Sequence, residues 1–224
     1  MENGETVSMV MKEIAGDDIP PAVNHPMLKG LKRYKCVIPA CRSSPCQNGG
    51  TCTETITGYA CTCSTDFFGA DCACNVFHTP DEGTQRLYTF PGWHIPAGMT
   101  SLDFEVSSNF SARLALSTVD SQQAEMYEIV LGGWYNTGTA IWRSYIHSTV
   151  PNEKTPSSAE GALSGRHHFD RFWLNFTNGR FAIGRYGNDA PFFEWTDPNP
   201  RPINYIGIMN WQGSDADWKF HSFC

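Results

Sequence analysis

Charged residues are scarce in this chain, and basic residues are scarcer than acidic ones. Charged side chains make up 17% of the 224 residues, and the formal net charge is −7. A nucleic-acid partner needs a basic protein face to neutralise its phosphates, so this balance argues against one. Long apolar runs are also missing, since no stretch reaches the roughly 18 apolar residues of a membrane-spanning helix. We therefore predict neither nucleic-acid binding nor a membrane span.

The short motifs of common catalytic folds are absent as well. The sequence has no HExxH, P-loop or GxSxG motif, and GALSG at residues 161–165 places its serine one position late. No GxGxG motif follows a strand, as a nucleotide or S-adenosylmethionine site would require. We therefore predict a protein that is not an enzyme and that has no cofactor and no metal.

Residues 1–40 lack both an apolar leader and a regular periodic pattern. We expect a mature chain or a fragment from which a secretory signal has been removed. Residues 1–40 are predicted to form an extended N-terminal arm or linker. Within it, residues 5–14 favour a short helix, and DDIPPAVNHP then interrupts regular structure.

Cysteine, by contrast, is concentrated in one segment. Six of the nine cysteines lie within the 32 residues from Cys41 to Cys72. Such a short segment cannot fold on an apolar core, so cross-links must replace that core. Six cysteines allow fifteen pairings, and spacing alone selects none of them. Zinc is a poorer explanation, because zinc sites favour paired CxxC spacings. Lasting disulfides need an oxidising compartment, so we expect a secreted protein.

The segment at residues 41–72 resembles an epidermal growth factor (EGF) module, because CxxxPC, CxNGGxC, GYxCxC and FxGxxC follow in order. The resemblance implies three disulfides, Cys41–Cys52, Cys46–Cys61 and Cys63–Cys72. Glu54 stands where this family usually has Asp or Asn, and the segment just before the first cysteine is CVIPA, which has no acidic residue, so we expect no calcium. CRSSPC and CQNGGTC resemble the acceptor patterns for O-linked glucose on Ser43 and O-linked fucose on Thr51.

Residues 74–224 consist of short alternating or aromatic runs separated by turns. SLDFEVSS, MYEIVLGG, RFWLNFT and INYIGIM are typical of strands, and NTG, TNG and TDPNP are typical of turns. No window has a clean helical period. We predict a mainly β protein, in which the EGF module precedes an antiparallel β-sandwich or jelly roll. Residues 147–168 are predicted to be a long polar loop.

Three cysteines lie outside the EGF-like segment. Cys74 opens the β region and Cys224 closes it, and the termini of sandwiches are often close, so we predict a Cys74–Cys224 disulfide. Nine is an odd number, which leaves Cys36 as a candidate for a disulfide between chains and hence for a linked homo-oligomer. An alternative pairing of Cys36 with Cys74 would leave Cys224 free.

The β region also resembles a known family, the domain named after crustacean farnesoic acid O-methyltransferase. The shared elements are EIxxGGWxNT, an FW strand followed by GxxxxG, and a closing IGxxxW…WxF. The likeness covers nearly all of residues 75–224. Met209–Trp211 depart from the closing STGW that is usual in the family. Such domains occur in invertebrate secreted proteins beside other extracellular modules, although the family name implies a methyltransferase.

Aromatic residues beside polar ones form a candidate binding site. A flat aromatic ring can stack on the apolar face of a sugar, while Asn, Gln or Arg bonds its hydroxyls. For any single tryptophan, a place in the core is the simpler explanation. The predicted site comprises a strand end, its return strand and a second loop: Trp134, Tyr135, Asn136, Trp142, Arg143, Trp211 and Gln212.

Two further motifs concern surface modification and metal binding. Asn109 and Asn175 match the N-glycosylation pattern, the latter only if its side chain faces outward. Asp215 and Asp217 share a strand face and could bind calcium, but a plain turn is the favoured interpretation. The same holds for the adjacent histidines His167 and His168, for which a polar loop end is favoured.

Together these observations predict a secreted, non-catalytic recognition or adhesion protein that binds a glycan or an extracellular glycoprotein. The first alternative is a structural matrix protein assembled through Cys36. The second is the methyltransferase that the family name implies.

Overall fold

The computed structural model describes residues 10–13, 34–81, 88–122, 126–144, 153–154, 162–211 and 213–224. The chain divides into two compact units, Met1–Ala73 and Cys74–Cys224. In the described part of the chain, no helix has the length and apolar character of a membrane span.

The first unit begins with two paired strands. Strand β1 (Val10–Glu13) pairs antiparallel with β2 (Tyr34–Val37). The helix predicted over residues 5–14 is therefore wrong for Val10–Glu13. Their pairing partner lies more than twenty residues away in sequence, and local propensity does not reveal such a partner. Cys36 belongs to β2, but its side chain lies outside the described structure, so its interchain disulfide stays a prediction.

The EGF-like part of the first unit is held together by cross-links. A 3-10 helix (Ala40–Ser43) precedes the hairpin of β3 (Thr51–Glu54) and β4 (Tyr59–Thr62), and β5 (Phe67–Phe68) follows. Three disulfides join Cys41–Cys52, Cys46–Cys61 and Cys63–Cys72, the pairs that the EGF resemblance implies.

Polar contacts complete this small unit. The Glu54 carboxylate accepts hydrogen bonds from the main-chain nitrogens of Ala40 at 3.1 Å and Cys41 at 2.7 Å. Tyr59 donates to Asp71 at 2.6 Å. Glu54, which departs from the usual Asp or Asn, thus fixes the start of the 3-10 helix.

The second unit contains a six-stranded and a five-stranded sheet, and each described strand pair within them is antiparallel. The strands are β6 (Cys74–Asn75), β7 (Phe77–Thr79), β8 (Ser101–Ser108), β9 (Ala112–Ser117), β10 (Met126–Gly132), β11 (Gly138–Ser144), β12 (Glu153–Lys154), β13 (Asp170–Thr177), β14 (Arg180–Arg185), β15 (Phe193–Thr196), β16 (Tyr205–Asn210) and β17 (Ala216–Phe220). The six-stranded sheet has the order β15-β14-β13-β8-β17-β7, the five-stranded sheet has the order β12-β11-β10-β9-β16, and β6 belongs to neither of them. A one-turn helix α1 (Gly133–Asn136) follows β10, and a 3-10 helix (His221–Phe223) follows β17.

One hydrophobic core draws on both sheets, because alternate residues of each strand point to the same side. Phe104 of β8 and Phe172 of β13 meet Leu114 of β9 and Ile129 of β10 in this core. Trp218 is fully buried there. The predicted mainly β antiparallel sandwich is therefore confirmed, and Cys74 is bonded to Cys224.

The polar loop predicted over residues 147–168 is interrupted by a short strand. Glu153 and Lys154 form β12 and pair with Ile141 and Ala140 of β11. A continuous loop is therefore wrong for these two residues, because the main chain of β11 offers them an open sheet edge. Residues 162–168 return to the sandwich, and the rest of the predicted loop lies outside the described residues.

Candidate functional site

The outer face of the five-stranded sheet carries an unusual mixture of charged and aromatic side chains. Strand alternation places Arg113 of β9, Glu128 and Val130 of β10, and Trp142 of β11 on the side away from the core. Arg113 is 5%, Glu128 0% and Trp142 6% exposed. Two oppositely charged groups are therefore buried on the face that most antiparallel sheets turn toward water.

A cavity of about 300 Å³ opens at one end of this face. We call it the tryptophan cavity. It contains rings from the β8–β9 turn, from α1, from β11 and from the end of β16. Its lining residues are Phe110, Ser111, Arg113, Val130, Gly133, Trp134, Tyr135, Trp142 and Trp211.

Four residues of the predicted binding site line this cavity: Trp134, Tyr135, Trp142 and Trp211. Trp134 and Trp142 meet edge to face, with ring centroids 6.3 Å apart. Trp134 is 38% and Tyr135 is 84% exposed, so the rim of the cavity is open to a ligand. Gln212, also predicted, lies outside the described residues.

The rim is built on a strained backbone turn. Trp134, Tyr135 and Asn136 have φ values of 51°, 57° and 67°, and we call these three residues the left-handed turn. For a residue other than glycine this conformation costs roughly 1–2 kcal/mol, and it rarely occurs in consecutive residues. Strain of this kind persists where the surrounding contacts impose it, often at functional sites.

Asn136 imposes the turn and does not line the cavity. Its side-chain nitrogen donates to the Leu163 carbonyl at 2.7 Å, and its Oδ1 accepts from the Leu163 nitrogen at 2.6 Å. A Cβ on Gly132 would lie 2.6 Å from that Oδ1, so only glycine fits there. The predicted ligand role of Asn136 is therefore corrected. Both hydrogen-bonding groups of its amide are used by the main chain of a returning loop.

Arg143 is also misplaced in the prediction, because adjacent residues of a strand point to opposite faces. Arg143 turns away from the cavity, and its Nη1 lies 3.1 Å from Asp197 Oδ1. The same carboxylate accepts a hydrogen bond from Tyr127 at 2.7 Å. Burial, aided by that bond to Asp197, raises the pKa of Tyr127 to about 12. Arg143 therefore serves a structural cluster inside the sandwich.

The sequence interpretation missed the ion pair of Arg113 and Glu128. Arg113 Nη1 donates to Glu128 Oε1, and the guanidinium carbon lies 5.1 Å from the ring centre of Trp142 and 4.9 Å from that of Trp211. Arg113 Nε and Glu128 Oε2 have no hydrogen-bond partner among the described residues. A single charge in each of two otherwise apolar strands was the signal that could have revealed the pair.

Known proteins resemble both parts of the chain. Residues 41–71 match the EGF-like domain family. Residues 82–223, more than half of the chain, match the family described as "Farnesoic acid 0-methyl transferase". The chain belongs to this family. Both resemblances noted in the sequence are thereby confirmed, in the same order along the chain.

Curated relatives of this family member match over short segments. They include the Cubilin homolog of Drosophila melanogaster, 49% identical over 37 residues, and the Protocadherin-like wing polarity protein stan of the same organism, 44% identical over 74 residues. The segments cover 16% and 29% of this chain, but the chain spans only 1% and 2% of the two relatives.

Solved structures similar to this family member include three β-rich proteins. They are the Caenorhabditis elegans galectin LEC-6 (13% identity, TM-score 0.39), the Bacillus licheniformis beta-glucanase (11%, 0.43) and the carbohydrate binding module CBM66 from Bacillus subtilis (10%, 0.36). The similarity covers 64%, 79% and 77% of this chain and 93%, 94% and 88% of those chains, respectively. These similarities are distant, and the family assignment rests on the sequence match.

The family-like motif EIxxGGWxNT supplies much of the site. Glu128 is its first residue, Gly132 and Gly133 allow the close approaches at the turn, and Trp134 and Asn136 provide the rim and its clamp. Trp211, from the segment that departs from the family pattern, also lines the cavity.

The two carboxylates considered as calcium ligands, Asp215 and Asp217, are engaged with other groups. Arg166 bonds Asp215 at 3.0 Å and Asp217 at 2.8 Å, and Asp217 also meets His78 at 2.8 Å. The main-chain nitrogen of His167 donates to Ser107 at 3.0 Å. Within the described residues, no group of three or more His, Cys, Asp or Glu side chains is arranged to hold a metal ion.

The four predicted modification sites all lie on the surface. Asn175 faces outward from β13, and Asn109 is exposed at the end of β8, where its Oδ1 accepts from the Arg166 nitrogen at 3.2 Å. Ser43 and Thr51 of the EGF-like unit are exposed too. Accessibility is necessary for attachment of a sugar, and the attachment itself stays a prediction.

Proposed function

We propose that this protein is an extracellular recognition module that binds a glycan or glycoprotein at the tryptophan cavity. The observation behind this proposal is the arrangement of the cavity. A strained turn holds Trp134 and Tyr135 at its open rim, and a buried arginine, Arg113, is among its lining residues. Small-molecule sites typically combine aromatic walls with a few fixed polar groups. Aromatic faces suit the apolar face of a sugar ring, and the arginine supplies donors for its oxygens.

An extracellular location is the other part of this proposal. Four disulfides use eight of the nine cysteines, and bonds of this kind persist in oxidising compartments. An EGF-like unit joined to the family domain fits adhesion or recognition outside the cell better than metabolism inside it.

We propose a non-catalytic role because the cavity lacks the usual groups for the competing chemistries. No carboxylate appears among the described lining residues, and Glu128 behind them is fully covered. Most glycoside hydrolases place two carboxyl groups beside the scissile bond. A dinucleotide-type cofactor fold alternates strands with helices, whereas both sheets here are antiparallel. Methyl transfer to farnesoic acid by the purified protein would contradict this part of the proposal.

The binding test uses the intact secreted chain on a glycan array, followed by calorimetry with the best ligand. Trp134→Ala and Trp211→Ala are expected to abolish measurable binding, because each removes an aromatic ring that lines the cavity. Tyr186→Ala is the matched control, since Tyr186 is an exposed aromatic residue, 60% accessible, that does not line the cavity. Unchanged binding in both tryptophan variants would reject the site.

The second candidate function is assembly of a matrix through Cys36. The cysteine count favours it, because four disulfides use eight of the nine cysteines and Cys36 is the ninth. Non-reducing electrophoresis of secreted protein tests this function. A dimer that disappears in Cys36→Ser supports it, and a monomer in both proteins rejects it.

A further inference from the structure

We infer that the tryptophan cavity selects uncharged sugars over acidic ones, because Glu128 cancels the charge of Arg113 beneath it. This inference rests on the proposed function and names the ligand class of the same site. It depends on two features of the ion pair, which are its burial and the contact of the Arg113 guanidinium with two tryptophan rings.

The charge of the cavity floor is compensated before any ligand arrives. Arg113 is the one charged residue among the described lining residues, and its side chain is only 6% exposed. Its partner Glu128 is completely buried, directly behind it. A sialic acid, uronic acid or sulfate would lose its hydration on entry and would find no uncompensated cation.

A neutral sugar hydroxyl or amide oxygen, by contrast, can accept hydrogen bonds from the guanidinium of Arg113. A guanidinium offers five N–H donors and no acceptor, and the bond to Glu128 leaves other donors at its edge. Cation–π contacts with Trp142 and Trp211, together with the bond to Glu128, hold the guanidinium in place. Neutral oxygen acceptors can use them without the cost of burying a second net charge.

The same geometry disfavours a cationic ligand. Aromatic cages bind quaternary ammonium groups between ring faces. Here the guanidinium of Arg113 already contacts both rings, and its central carbon lies 5.1 Å from the ring centre of Trp142 and 4.9 Å from that of Trp211. A second cation would be placed beside the first.

Stability alone does not explain the buried ion pair of Arg113 and Glu128. Replacement of a buried ion pair by apolar residues of similar volume is often neutral or stabilising, whereas removal of one partner is costly. A pair buried at the floor of an open cavity is therefore better explained by what it offers to a ligand. Glu128 acts as a positioning residue and Arg113 as the contact.

The first experiment screens the intact protein against neutral, sialylated, sulfated and uronic-acid glycans. Binding to neutral glycans alone is expected, and it should change little when ionic strength rises from about 0.1 to about 1 M, which shortens the screening length from about 10 to about 3 Å. Preference for acidic glycans overturns this inference and leaves the proposed function standing. Binding to no glycan of any class overturns both.

The second experiment replaces the pair by apolar residues. The double variant Arg113→Met with Glu128→Leu is expected to keep its melting temperature and to lose affinity for the best neutral glycan by about tenfold or more. The matched control is Arg180→Met with Glu194→Leu, a pair on adjacent strands β14 and β15 that lines no part of the cavity. Unchanged affinity in the Arg113 double variant overturns the role of the pair.

A third variant tests the sign of the charge. Glu128→Gln keeps an oxygen for the bond to Arg113 but removes the negative charge, so acidic glycans should gain affinity relative to neutral ones. If this single variant does not fold, the comparison of neutral with acidic glycans on the native protein still decides the question. A folded Glu128→Gln protein that shows no change in preference would contradict charge cancellation.

Discussion

The EGF-like unit is stabilised mainly by disulfides, whereas the β-sandwich is stabilised mainly by a buried hydrophobic core. Within residues 38–73, Phe68 and Cys72 are the buried hydrophobic residues, and three disulfides close the segment. The sandwich buries a continuous core from both sheets and has one disulfide, between Cys74 and Cys224. The difference teaches that cross-links matter most where little apolar surface can be removed from water.

Loss of one EGF disulfide should have the largest effect. Cys46→Ser with Cys61→Ser is expected to unfold residues 41–72, because removal of a native disulfide from a small domain typically costs about 2–5 kcal/mol. The matched pair, Cys74→Ser with Cys224→Ser, should leave the sandwich folded. Amide hydrogen exchange of the intact chain separates the two units. Retained protection in residues 41–72 would show that this unit does not depend on its cross-links.

A cavity in the sandwich core should have the next largest effect. Phe104 is fully buried, and its ring lies 5.9 Å from Phe172 and 5.7 Å from Phe220. Phe104→Ala should lower the free energy of unfolding of the sandwich by about 3–5 kcal/mol. Exposed Tyr186→Ala, which removes a cation–π contact with Arg171, should change it by less than about 1 kcal/mol. Chemical denaturation followed by tryptophan fluorescence measures both, and equal effects would remove the contrast between core and surface.

A smaller effect is expected at the left-handed turn. Asn136→Ala leaves the main-chain groups of Leu163 without their partner, so it should cost about 1–3 kcal/mol and relax the rim of the cavity. Asn136→Asp keeps the acceptor and loses the donor, so its effect should be intermediate. Thermal unfolding gives the stability change. Full stability in both variants would mean that the turn is held by other contacts.

The smallest effect on stability at neutral pH is expected for Tyr127. Its ionisation changes the stability of the sandwich only at alkaline pH. Its pKa is about 12 in the folded sandwich against an ordinary value of 10.0, so the unfolded chain releases this proton first. Its contribution to stability is complete below pH 10 and is lost as the pH rises toward 12. The melting temperature of the native protein should therefore fall more steeply across this window than that of Tyr127→Phe. Parallel plots of melting temperature against pH for the two proteins would contradict the raised pKa of Tyr127.

Much of this architecture was predictable because it follows from local patterns. The run SLDFEVSS alternates polar and apolar residues up to Val106, so it predicted a strand of a half-buried sheet, and Leu102, Phe104 and Val106 are buried. The aromatic residues at 134, 135, 142 and 211 were selected as one site, and they do line one cavity. Alternation of side chains along a strand also places Arg143 and Trp142 on opposite faces of the sheet. Both residues were nevertheless predicted for one site.

Other features were beyond local reasoning. Val10–Glu13 forms a strand because it meets Tyr34–Val37, and no short window reveals that partner. Asn136 looked like a ligand residue, but its role depends on Leu163, which is far away in sequence and close in space. The pairing of Arg113 with Glu128 likewise depends on the register between β9 and β10.

The amino-acid sequence alone determined the order of the two modules, the strand-rich character of the second and the identity of the aromatic residues at its surface. These properties follow from cysteine spacing and side-chain period, which act over a few residues. Tertiary structure alone decided which aromatic residues share a cavity, which polar groups line it and which buried charge neutralises Arg113. Those properties depend on strand register and sheet order, which arise when segments distant in the chain bury a common core.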